Sequence, residues 1–423
     1  MRAIAPQQTA QLGAAKLNDW TSLRGKNPLF SIKQETLVHW RSKLLRPSTL
    51  ASDGFRSLVT PVYRGSTVVF DKAADIIDDW RQGTHGYTYG LYGSPTVLEL
   101  GARIAEIEGA HHCFVVPGGQ AAIAVVYLAF CKAGSHGLVP HSAYGSSKEM
   151  AAGLLKGLGI EIDTYDPTIG AGIAELIQPN TALIWTESPG SVTMEVQDVP
   201  AIVAAARACG VPVALDNTYA AGVLFDAFHH GVDVSVQALT KYVGGHSDLL
   251  LGSVSVSSPE LYEKVGSVWG QLGMAVSPDD ASLALRGLQT LGIRLERLES
   301  SALKIAKWLK SRPEIETVLH PALPDCPGHD VWKRDFTGSA SVFSFVFGPE
   351  VAAAEVPAFV DRLKLFRKGF SWGGTASLAM IYPNLRRPNR DFEGRLVRLN
   401  IGLEEPDDLI ADLSRALNGL GTG

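Results

Sequence analysis

Residues 211–241 read VPVALDNTYAAGVLFDAFHHGVDVSVQALTK, and this stretch decides the fold class. It contains two β-rich apolar runs, VPVALD and VSVQAL, which end at Asp216 and at the pair Thr240–Lys241. The upstream run TALIWTE ends in the same way at Glu187. In an open parallel sheet, ligands bind beyond the carboxyl ends of the strands. The stretch therefore predicts a parallel sheet with polar, potentially reactive side chains together at the carboxyl ends of its strands.

The same pattern continues on both sides of this stretch. From about Ala110, strand-like runs such as HCFVVP, HGLVP and LLLGSVSV alternate with helical patterns at 120–132, 146–158 and 199–209. Alternation of this kind indicates crossover units between parallel strands. We therefore predict an α/β fold with a mostly parallel central sheet flanked by helices.

The C-terminal third has a different texture. A long helical pattern begins near Leu283 and leads to the strand-like runs ASVFSFVF and LVRLNIG, with helical patterns at 351–363 and 406–417. Segregated strands and helices indicate a smaller α+β domain. The predicted organisation is an N-terminal arm or extension at 1–56, a large domain at 57–282, and a linker helix with the small domain at 283–423.

The N-terminal segment MRAIAPQQTAQLGAAKLNDW has no continuous apolar core, so it is not a secretory signal. It carries no acidic residue before Asp19, which leaves an organelle-targeting segment as the alternative to an arm-like extension. Elsewhere, no apolar run approaches the length of a membrane span.

The composition limits the classes of partner. The chain has 423 residues, of which 46% are hydrophobic and 19% are charged, as expected for a folded protein of two or three domains. The 43 acidic residues exceed the 38 Lys and Arg, and the net charge of −5 argues against a nucleic-acid-binding or membrane-binding protein. No HExxH motif is present, and the adjacent pairs His111–His112 and His229–His230 are poorly placed to bind one ion, so no metal site is predicted. The four cysteines form no CxxC pair, which favours reduced thiols and a cytoplasmic location.

Two strand-end residues are candidates for chemistry on a carbonyl cofactor. Lys241 follows a buried strand, and a partly buried lysine amine can form a Schiff base or act as a base. Asp216 can pair with a pyridinium nitrogen and keep it protonated. The alternatives are a surface lysine and an Asx turn or helix cap.

Three further features fit the binding of an anionic, planar molecule. The turn PGGQAAIA, at 117–124, runs from a strand into a helix whose free N–H groups can bind phosphate. Tyr144 can stack on a planar ring, and Tyr87 and Tyr89 lie in a glycine-rich loop suited to binding or to an interface. Arg398, inside an apolar strand, can bind a carboxylate. The alternatives are an ordinary tight turn, a core tyrosine and a structural ion pair.

Several motifs together resemble the Cys/Met-metabolism family of pyridoxal-phosphate enzymes, and within it the β-lyase branch. The similar runs are TKYVGGHSD, ESPGSVTMEVQDVPAI, DNTYAAGVLFDAFHHGVDVSVQALTK, SWGGTASL and VRLNIGLEEPDDLIADL. The resemblance extends over roughly Ser57 to Leu417. It implies a fold-type I enzyme with pyridoxal 5'-phosphate as cofactor, a small amino acid as substrate, and a homotetramer built from dimers.

The resemblance also implies roles for individual residues. Lys241 would hold the cofactor covalently, Asp216 would pair with its pyridine nitrogen, and Tyr144 would stack on its ring. The residues expected at the phosphate are Gly118, Gly119, Gln120, Thr240 and, from the neighbouring subunit, Tyr89. On the substrate side, Arg398 would bind the α-carboxylate, and the other lining residues would be Ser371, Trp372 and Tyr92. The expected catalytic residues are Lys241, Tyr144 and Tyr89.

The sequence departs from the family pattern in the loop that contains Tyr89. The family usually has Tyr-x-Arg there, and its arginine binds the phosphate, whereas this chain has Leu91. Tyr92 replaces a second arginine that often holds the distal end of cystathionine. Ala238 stands where many relatives outside this branch have a phosphate-binding serine, and Arg64 is a candidate replacement cation by nearness in sequence alone. We therefore expect weak cofactor retention and a preference for smaller or less acidic cysteine conjugates.

The expected activity is carbon–sulfur β-elimination from L-cystathionine or a related cysteine S-conjugate, which yields pyruvate, ammonia and a thiol. One alternative is γ-elimination or γ-replacement, against which Trp372 argues because the γ-branch commonly has leucine there. A second alternative is a non-catalytic relative that kept the fold. The joint presence of Lys241, Asp216, Tyr144 and Arg398 argues against a non-catalytic protein.

Overall fold

The computed structural model describes residues 39–46 and 57–420. Of the predicted arm at 1–56, only 39–46 falls in these ranges, and it forms a short helix, α1 (Trp40–Lys43). The remainder of that prediction lies outside the described residues. In the described part of the chain, no helix is both long and apolar enough to cross a bilayer.

A seven-stranded sheet forms the centre of the molecule, in the order β1-β7-β6-β5-β4-β2-β3. Strand β7 is antiparallel to both of its neighbours, and the other pairings in the sheet are parallel. The prediction of a mostly parallel sheet is therefore confirmed. The strands are β1 (His112–Val116), β2 (His136–Pro140), β3 (Glu161–Tyr165), β4 (Thr181–Glu187), β5 (Val213–Asp216), β6 (Val234–Gln237) and β7 (Gly252–Val256).

Helices cover both faces of this sheet because successive strand side chains point to opposite sides. On β4, Leu183 and Trp185 pack into one apolar core, whereas Ile184 packs into the other. The helices that accompany this sheet are α2 (Gln82–His85), α3 (Pro95–Glu108), α4 (Gly119–Phe130), α5 (Gly145–Met150), α6 (Val199–Ala208) and α7 (Pro259–Gln271). Helices α4 and α7 pack in the core with Leu183 and Trp185, and α3 and α6 pack in the core with Ile184.

A single long helix, α8 (Pro278–Lys310), connects the two halves of the chain. It begins five residues before the predicted start at Leu283, because Ser277 accepts a hydrogen bond from the Asp279 N–H and Pro278 occupies the first turn. At 1.5 Å per residue the helix is about 50 Å long. Its first half packs in the core with Ile184, and its second half packs in the C-terminal core.

The C-terminal part is a separate sheet domain, as predicted. Its five-stranded sheet has the order β10-β11-β14-β9-β8 and is antiparallel except for the pair β10–β11. The strands are β8 (Ile315–Leu319), β9 (Val342–Phe347), β10 (Arg367–Lys368), β11 (Leu378–Ile381) and β14 (Leu396–Asn400), with a separate hairpin of β12 (Arg386–Arg387) and β13 (Arg390–Asp391). The helices are α9 (His329–Asp335), α10 (Glu355–Arg362) and α11 (Pro406–Leu417).

Several predicted element boundaries differ from the structure. The helix expected at 146–158 ends as α5 at Met150 and continues as a π-helical turn at Ala151–Leu155. In LLLGSVSV, only Gly252–Val256 forms a strand, because Leu251 pairs its backbone with Thr240 instead of a neighbouring strand. The helix expected at 351–363 begins at Glu355.

Candidate active site

The carboxyl ends of β4, β5 and β6 place three predicted polar groups beside one another. Glu187 and Asp216 are register partners on the parallel pair β4–β5. The next strand, β6, leads directly into the turn that carries Lys241. Thr218 connects these strand ends, because its N–H donates to Asp216 Oδ1 at 3.0 Å and its Oγ1 accepts the Ala238 N–H at 2.8 Å.

Lys241 is partly buried, and its amine is held by the C-terminal domain. Its Nζ donates to Ser371 Oγ at 2.5 Å and lies 5.3 Å from the ring centroid of Trp372. The pKa of Lys241 is lowered to about 8, chiefly by burial and also by the charge of Arg398, while the charge of Asp216 opposes the shift. A lysine with this pKa is neutral in about one molecule in ten at pH 7, far more often than an ordinary lysine, so it can act as a nucleophile and as a base.

Arg398 lies on β14 and is 8% exposed. Its Nη2 donates to Ser371 O at 3.1 Å, and its guanidinium carbon lies 5.5 Å from the ring of Tyr382. Within 39–46 and 57–420, no carboxylate forms an ion pair with Arg398, so the structural ion pair considered above is not found there. Burial lowers the pKa of Arg398. A buried guanidinium without an anionic partner is suited to bind a ligand carboxylate.

Ser371 thus contacts both of these cations, through its hydroxyl and through its carbonyl. It has a φ of 76°, which is unusual for a residue other than glycine. The loop that contains it rests on the Lys241 turn, since a Cβ on Gly373 would lie 3.1 Å from the Lys241 carbonyl carbon. Trp372 packs against Tyr242, with their ring centroids 5.3 Å apart.

The glycine turn at the start of α4 is shaped to admit an anion. No side chain caps this helix, so the N–H groups of its first turn are available to a ligand. Gly119 packs so closely on the lysine turn that a Cβ there would lie 2.8 Å from the Ala238 Cβ, whereas a Cβ on Gly118 would have no heavy atom within 4 Å. Gln120 is oriented by a 3.1 Å bond from its Nε2 to Ser146 O.

The Thr240 side chain forms hydrogen bonds within the protein that the sequence did not indicate. Its hydroxyl donates to Leu251 O and accepts the Leu251 N–H, both at 3.1 Å. Because a hydroxyl has only one proton, this geometry leaves Thr240 Oγ1 no proton to donate to a phosphate. The hydroxyl instead fixes the lysine turn to the segment that enters β7.

Tyr144 and Tyr89 are exposed rather than packed in the core, with 46% and 44% of their surface accessible. The Tyr144 N–H donates to Glu187 Oε2 at 2.7 Å, which connects the loop before α5 to the end of β4. The carbonyl of Tyr89 accepts a bond from Gln82 Nε2 at 2.8 Å. No hydrogen bond or ring contact among the described residues joins Tyr89 to the Lys241 of the same chain.

The other residues of the unusual loop are held within their own chain. The Tyr92 hydroxyl donates to Asp78 Oδ1 at 2.9 Å, and its ring centroid lies 6.3 Å from that of Trp269. Leu91 approaches Gly273, where a Cβ would lie 3.6 Å from one of its methyl groups. Arg64, named above as a replacement cation, forms a two-pronged ion pair with Asp279 at the start of α8. That pairing commits the Arg64 guanidinium to a carboxylate.

Sequence reasoning missed two buried residues that support this site. Asn400 accepts the Gly373 N–H at 2.9 Å and donates to Ala376 O at 3.0 Å. Arg294, on α8, donates to Tyr242 O at 2.7 Å. Asn400 carried a signal, because a polar residue two positions after Arg398 in an apolar strand lies on the same face. Arg294 did not stand out from the other charged residues of a long amphipathic helix.

These residues fit pyridoxal phosphate. The uncapped α4 turn offers N–H groups to a phosphate, Asp216 offers a carboxylate to a pyridine nitrogen, and Lys241 offers an amine to an aldehyde. Tyr144 has a ring face free of core packing.

Comparisons with known proteins agree with this reading. The Cys/Met metabolism PLP-dependent enzyme family matches residues 42–418. A putative cystathionine beta-lyase of Rhizobium johnstonii is 47% identical over 84% of this chain and 90% of its own length. The cystathionine beta-lyase MetC of Escherichia coli is 43% identical over 83% of this chain and 91% of its own.

A solved structure gives the same fold. The cystathionine gamma synthase of Xanthomonas oryzae pv. oryzae, solved with cystathionine, superposes with a TM-score of 0.83 at 30% identity, covering 90% of this chain and 98% of that one. The predicted fold class, the cofactor and the enzyme type, a pyridoxal-phosphate-dependent enzyme of the cystathionine β-lyase type, are confirmed. The chain belongs to the Cys/Met metabolism PLP-dependent enzymes.

Proposed function

We propose that the protein cleaves the Cβ–S bond of L-cystathionine or a related cysteine S-conjugate, releasing a thiol, pyruvate and ammonia. One observation carries the proposal: Ser371 contacts both the amine of Lys241 and the buried guanidinium of Arg398, which has no carboxylate partner among residues 39–46 and 57–420. In this proposal Lys241 is the base, and Arg398, which the same Ser371 contacts, is the carboxylate-binding group. An α-amino acid bound there would present its Cα proton to Lys241.

Each residue has a chemical task in this proposal. Arg398 binds the α-carboxylate in two parallel hydrogen bonds. With pyridoxal phosphate bound, Lys241 would hold it covalently, and once released its neutral Nζ would remove the substrate Cα proton. Asp216 would pair with the pyridine nitrogen, and Tyr144 would stack on the ring. When bound, the cofactor supplies the electron sink that stabilises the charge left at Cα.

The loss of the thiol and the formation of pyruvate need no other reagent than water. As the Cβ–S bond breaks, the sulfur leaves with the bond's electron pair, and the proton held on Lys241 Nζ is available to neutralise it. The unsaturated amine that remains takes up water and gives pyruvate and ammonia. We propose that the phosphate is held by Gly118, Gly119 and Gln120. Thr240 would fix the backbone turn beside them.

We propose that residues from a second subunit complete the site. Tyr89 and Tyr92 lie in a loop without described contacts to the Lys241 of the same chain. The segment before that loop exposes apolar side chains, including Leu58 at 76%, Val69 at 88% and Ile76 at 66%. Exposed apolar surface of this extent is typical of an interface. It supports contact with a second subunit, and we propose a homotetramer in which Tyr89 reaches the neighbouring phosphate.

The division at 57–282 and 283–423 and a cytoplasmic location remain part of this proposal. The four cysteines are free thiols, three of them buried and Cys209 exposed, which is compatible with a reducing compartment.

Leu91 and Tyr92 leave the loop that contains Tyr89 without the positive charges that would bind a distal carboxylate. We therefore propose that small or weakly acidic cysteine conjugates, such as S-alkyl cysteines or cystine, are preferred over cystathionine.

The testing experiment uses the purified holoenzyme with L-cystathionine and, separately, S-methyl-L-cysteine, and identifies the keto acid by mass spectrometry. Pyruvate is expected from both, with the larger kcat/KM for S-methylcysteine. Lys241→Ala is the inactive control. Production of 2-oxobutyrate from cystathionine would place the enzyme in the γ-branch instead. A much larger kcat/KM for cystathionine would overturn the substrate preference alone. Absence of keto acid, with no change in the cofactor's visible absorption when amino acids are added, would indicate a non-catalytic protein.

A further inference from the structure

A buried hydrogen-bonded chain links the lysine turn to the loop that carries Ser371. Tyr242, next to Lys241, has its hydroxyl 2.9 Å from Ser341 Oγ. Ser341 Oγ donates to Asn400 Oδ1 at 2.8 Å. Asn400 then holds the loop at both ends of a four-residue turn, through the Gly373 N–H and the Ala376 carbonyl. We call Tyr242, Ser341 and Asn400 the relay.

The direction of each bond in the relay is fixed by its neighbours. The Gly373 N–H can only donate, so the atom of Asn400 that faces it must be the oxygen. That oxygen can only accept a hydrogen bond, so Ser341 must donate its single hydroxyl proton to Asn400. The Tyr242 hydroxyl must therefore donate to Ser341 Oγ, and its own oxygen accepts the Ser341 N–H at 2.9 Å. Every member is satisfied in one arrangement.

The relay is isolated from water and joins separate parts of the fold. Tyr242, Ser341 and Asn400 are each 1% exposed or less. Tyr242 belongs to the turn after β6, Ser341 directly precedes β9, and Asn400 is the last residue of β14. Buried polar chains that are fully satisfied select one arrangement, because any slippage leaves a donor or acceptor unpaired. The burial raises the pKa of Tyr242 to about 12, so its hydroxyl keeps its proton at neutral pH.

The relay acts on the residues that face the substrate through the strand β14 and the loop. Asn400 lies two residues after Arg398, on the same face of the strand. Its bond to Gly373 holds the loop two residues after Ser371, which itself contacts Lys241 and Arg398. The left-handed conformation of Ser371 is unfavourable by itself, so it needs such support from its surroundings.

We propose that Tyr242, Ser341 and Asn400 are positioning residues, which fix the Ser371–Ala376 loop on the Lys241 turn so that Ser371 meets Lys241 and Arg398 together. Their contribution to turnover rests on the proposed function. Their contribution to the order of the loop does not, and it can be measured without substrate.

The experiment measures amide hydrogen exchange of the peptide 369–377 in the holoenzyme, in Asn400→Leu and in Tyr242→Phe. Both variants are expected to speed exchange in this peptide by at least about tenfold, the equivalent of about 1.4 kcal/mol. Asn400→Leu removes the acceptor of the Gly373 N–H, and Tyr242→Phe removes the hydroxyl that holds Ser341 and, through it, Asn400. Tyr219→Phe is the matched control. Tyr219 is a buried tyrosine whose hydroxyl accepts the N–H of Ala340, beside Ser341, without a described hydrogen bond to the loop.

A kinetic measurement separates positioning from stability. For any β-elimination substrate, Asn400→Leu is expected to lower kcat/KM by about 10- to 100-fold, the cost typical of an angstrom-scale misplacement. Tyr242→Phe leaves Asn400 and both of its bonds to the loop in place, so its loss is expected to be smaller. If Asn400→Leu does not fold, Tyr242→Phe, which removes one hydroxyl, decides the matter. Unchanged loop exchange in Tyr242→Phe, or an equal increase in Tyr219→Phe, would overturn the proposal.

Discussion

Glu187 and Asp216 are register partners at the carboxyl ends of β4 and β5, where Glu187 is buried and Asp216 is partly buried. Burial raises the pKa of Glu187 well above its usual range, and the nearby Asp216 raises it further. Burial also raises the pKa of Asp216, but Lys241 and the bonds from Thr218 oppose this rise. Two neighbouring carboxylates resist ionising together. The arrangement therefore favours a protonated Glu187 and an ionised Asp216.

The first prediction follows from that division. Glu187→Gln should keep kcat/KM within about threefold, since a neutral amide can still accept the Tyr144 N–H as the protonated carboxyl does. Glu187→Ala should cost about 1 kcal/mol of stability because it removes the acceptor of the partly buried Tyr144 N–H. Thermal or urea unfolding and steady-state kinetics check both variants. A Gln variant as inactive as Asp216→Asn would contradict the assignment.

The second prediction concerns the pH at which the apoenzyme takes up its cofactor. Because the pKa of Lys241 is about 8, the rate of capture should rise about tenfold per pH unit below pH 8 and level off above it. Stopped-flow absorbance between pH 6 and 10 measures this midpoint. Arg398→Met should move it upward, since the charge of Arg398 lowers the lysine pKa. A midpoint near the ordinary lysine value of 10.5 would rule the assignment out.

The same shift has a consequence for stability with a definite sign. Between pH 8 and 10.5 the unfolded chain binds more protons at Lys241 than the folded apoenzyme does. The contribution of this lysine therefore makes the free energy of unfolding rise with pH over that interval. Comparison of the apoenzyme with Lys241→Met isolates the contribution, and a steeper rise in the variant would contradict it.

The third prediction tests the carboxylate-binding role of Arg398. Arg398→Met should raise the substrate KM by about 30-fold or more, because breaking a buried charge pair costs about 2–5 kcal/mol. Arg398→Lys should recover little, since an ammonium cannot form two parallel bonds to a carboxylate. Arg390→Met is the control, because Arg390 is only partly buried and pairs with Glu316 at the surface. An unchanged KM in Arg398→Met would place the carboxylate elsewhere.

The fourth prediction uses two adjacent glycines. Gly119→Ala should cost about 1–3 kcal/mol of unfolding free energy and weaken cofactor binding, because its Cβ would lie 2.8 Å from the Ala238 Cβ. Gly118→Ala should leave the free energy of unfolding nearly unchanged, since Gly118 is extended at a φ of 176° and has open space at its Cβ position. Cofactor titration and thermal unfolding compare the two. Equal losses would show that the close packing of Gly119 is not the cause.

The fifth prediction addresses the loop that lacks its arginines. Leu91→Arg should tighten binding of pyridoxal phosphate by about tenfold or more, as a charge-assisted hydrogen bond to phosphate would. Leu158→Arg, which adds a charge at another exposed leucine, is the control. Tyr92→Arg should raise the ratio of kcat/KM for cystathionine to that for S-methylcysteine. Equal cofactor affinity in the natural protein and Leu91→Arg would refute the expectation of weak retention.

The sequence by itself determined the parallel sheet, the polar residues at its strand ends and the family. The sheet and its strand-end residues follow from local information, since hydrophobic periodicity reports which side of an element is buried and a strand end reports where a ligand can bind. The family follows from the resemblance of motifs such as TKYVGGHSD and SWGGTASL. Asp216 and Lys241 were named as candidates from those patterns, and the C-terminal sheet domain was placed after the long helix that becomes α8.

Only the tertiary structure decided which distant residues meet. Ser371 lies 130 positions from Lys241, yet it accepts the lysine's hydrogen bond. The absence of a carboxylate beside Arg398 in the described residues, and the pairing of Arg64 with Asp279, were likewise not readable from the sequence. The physical reason is that such contacts depend on how the turns and loops of the two domains pack against each other. Periodicity identifies the buried face of each sheet, but the packing chooses the partners across it.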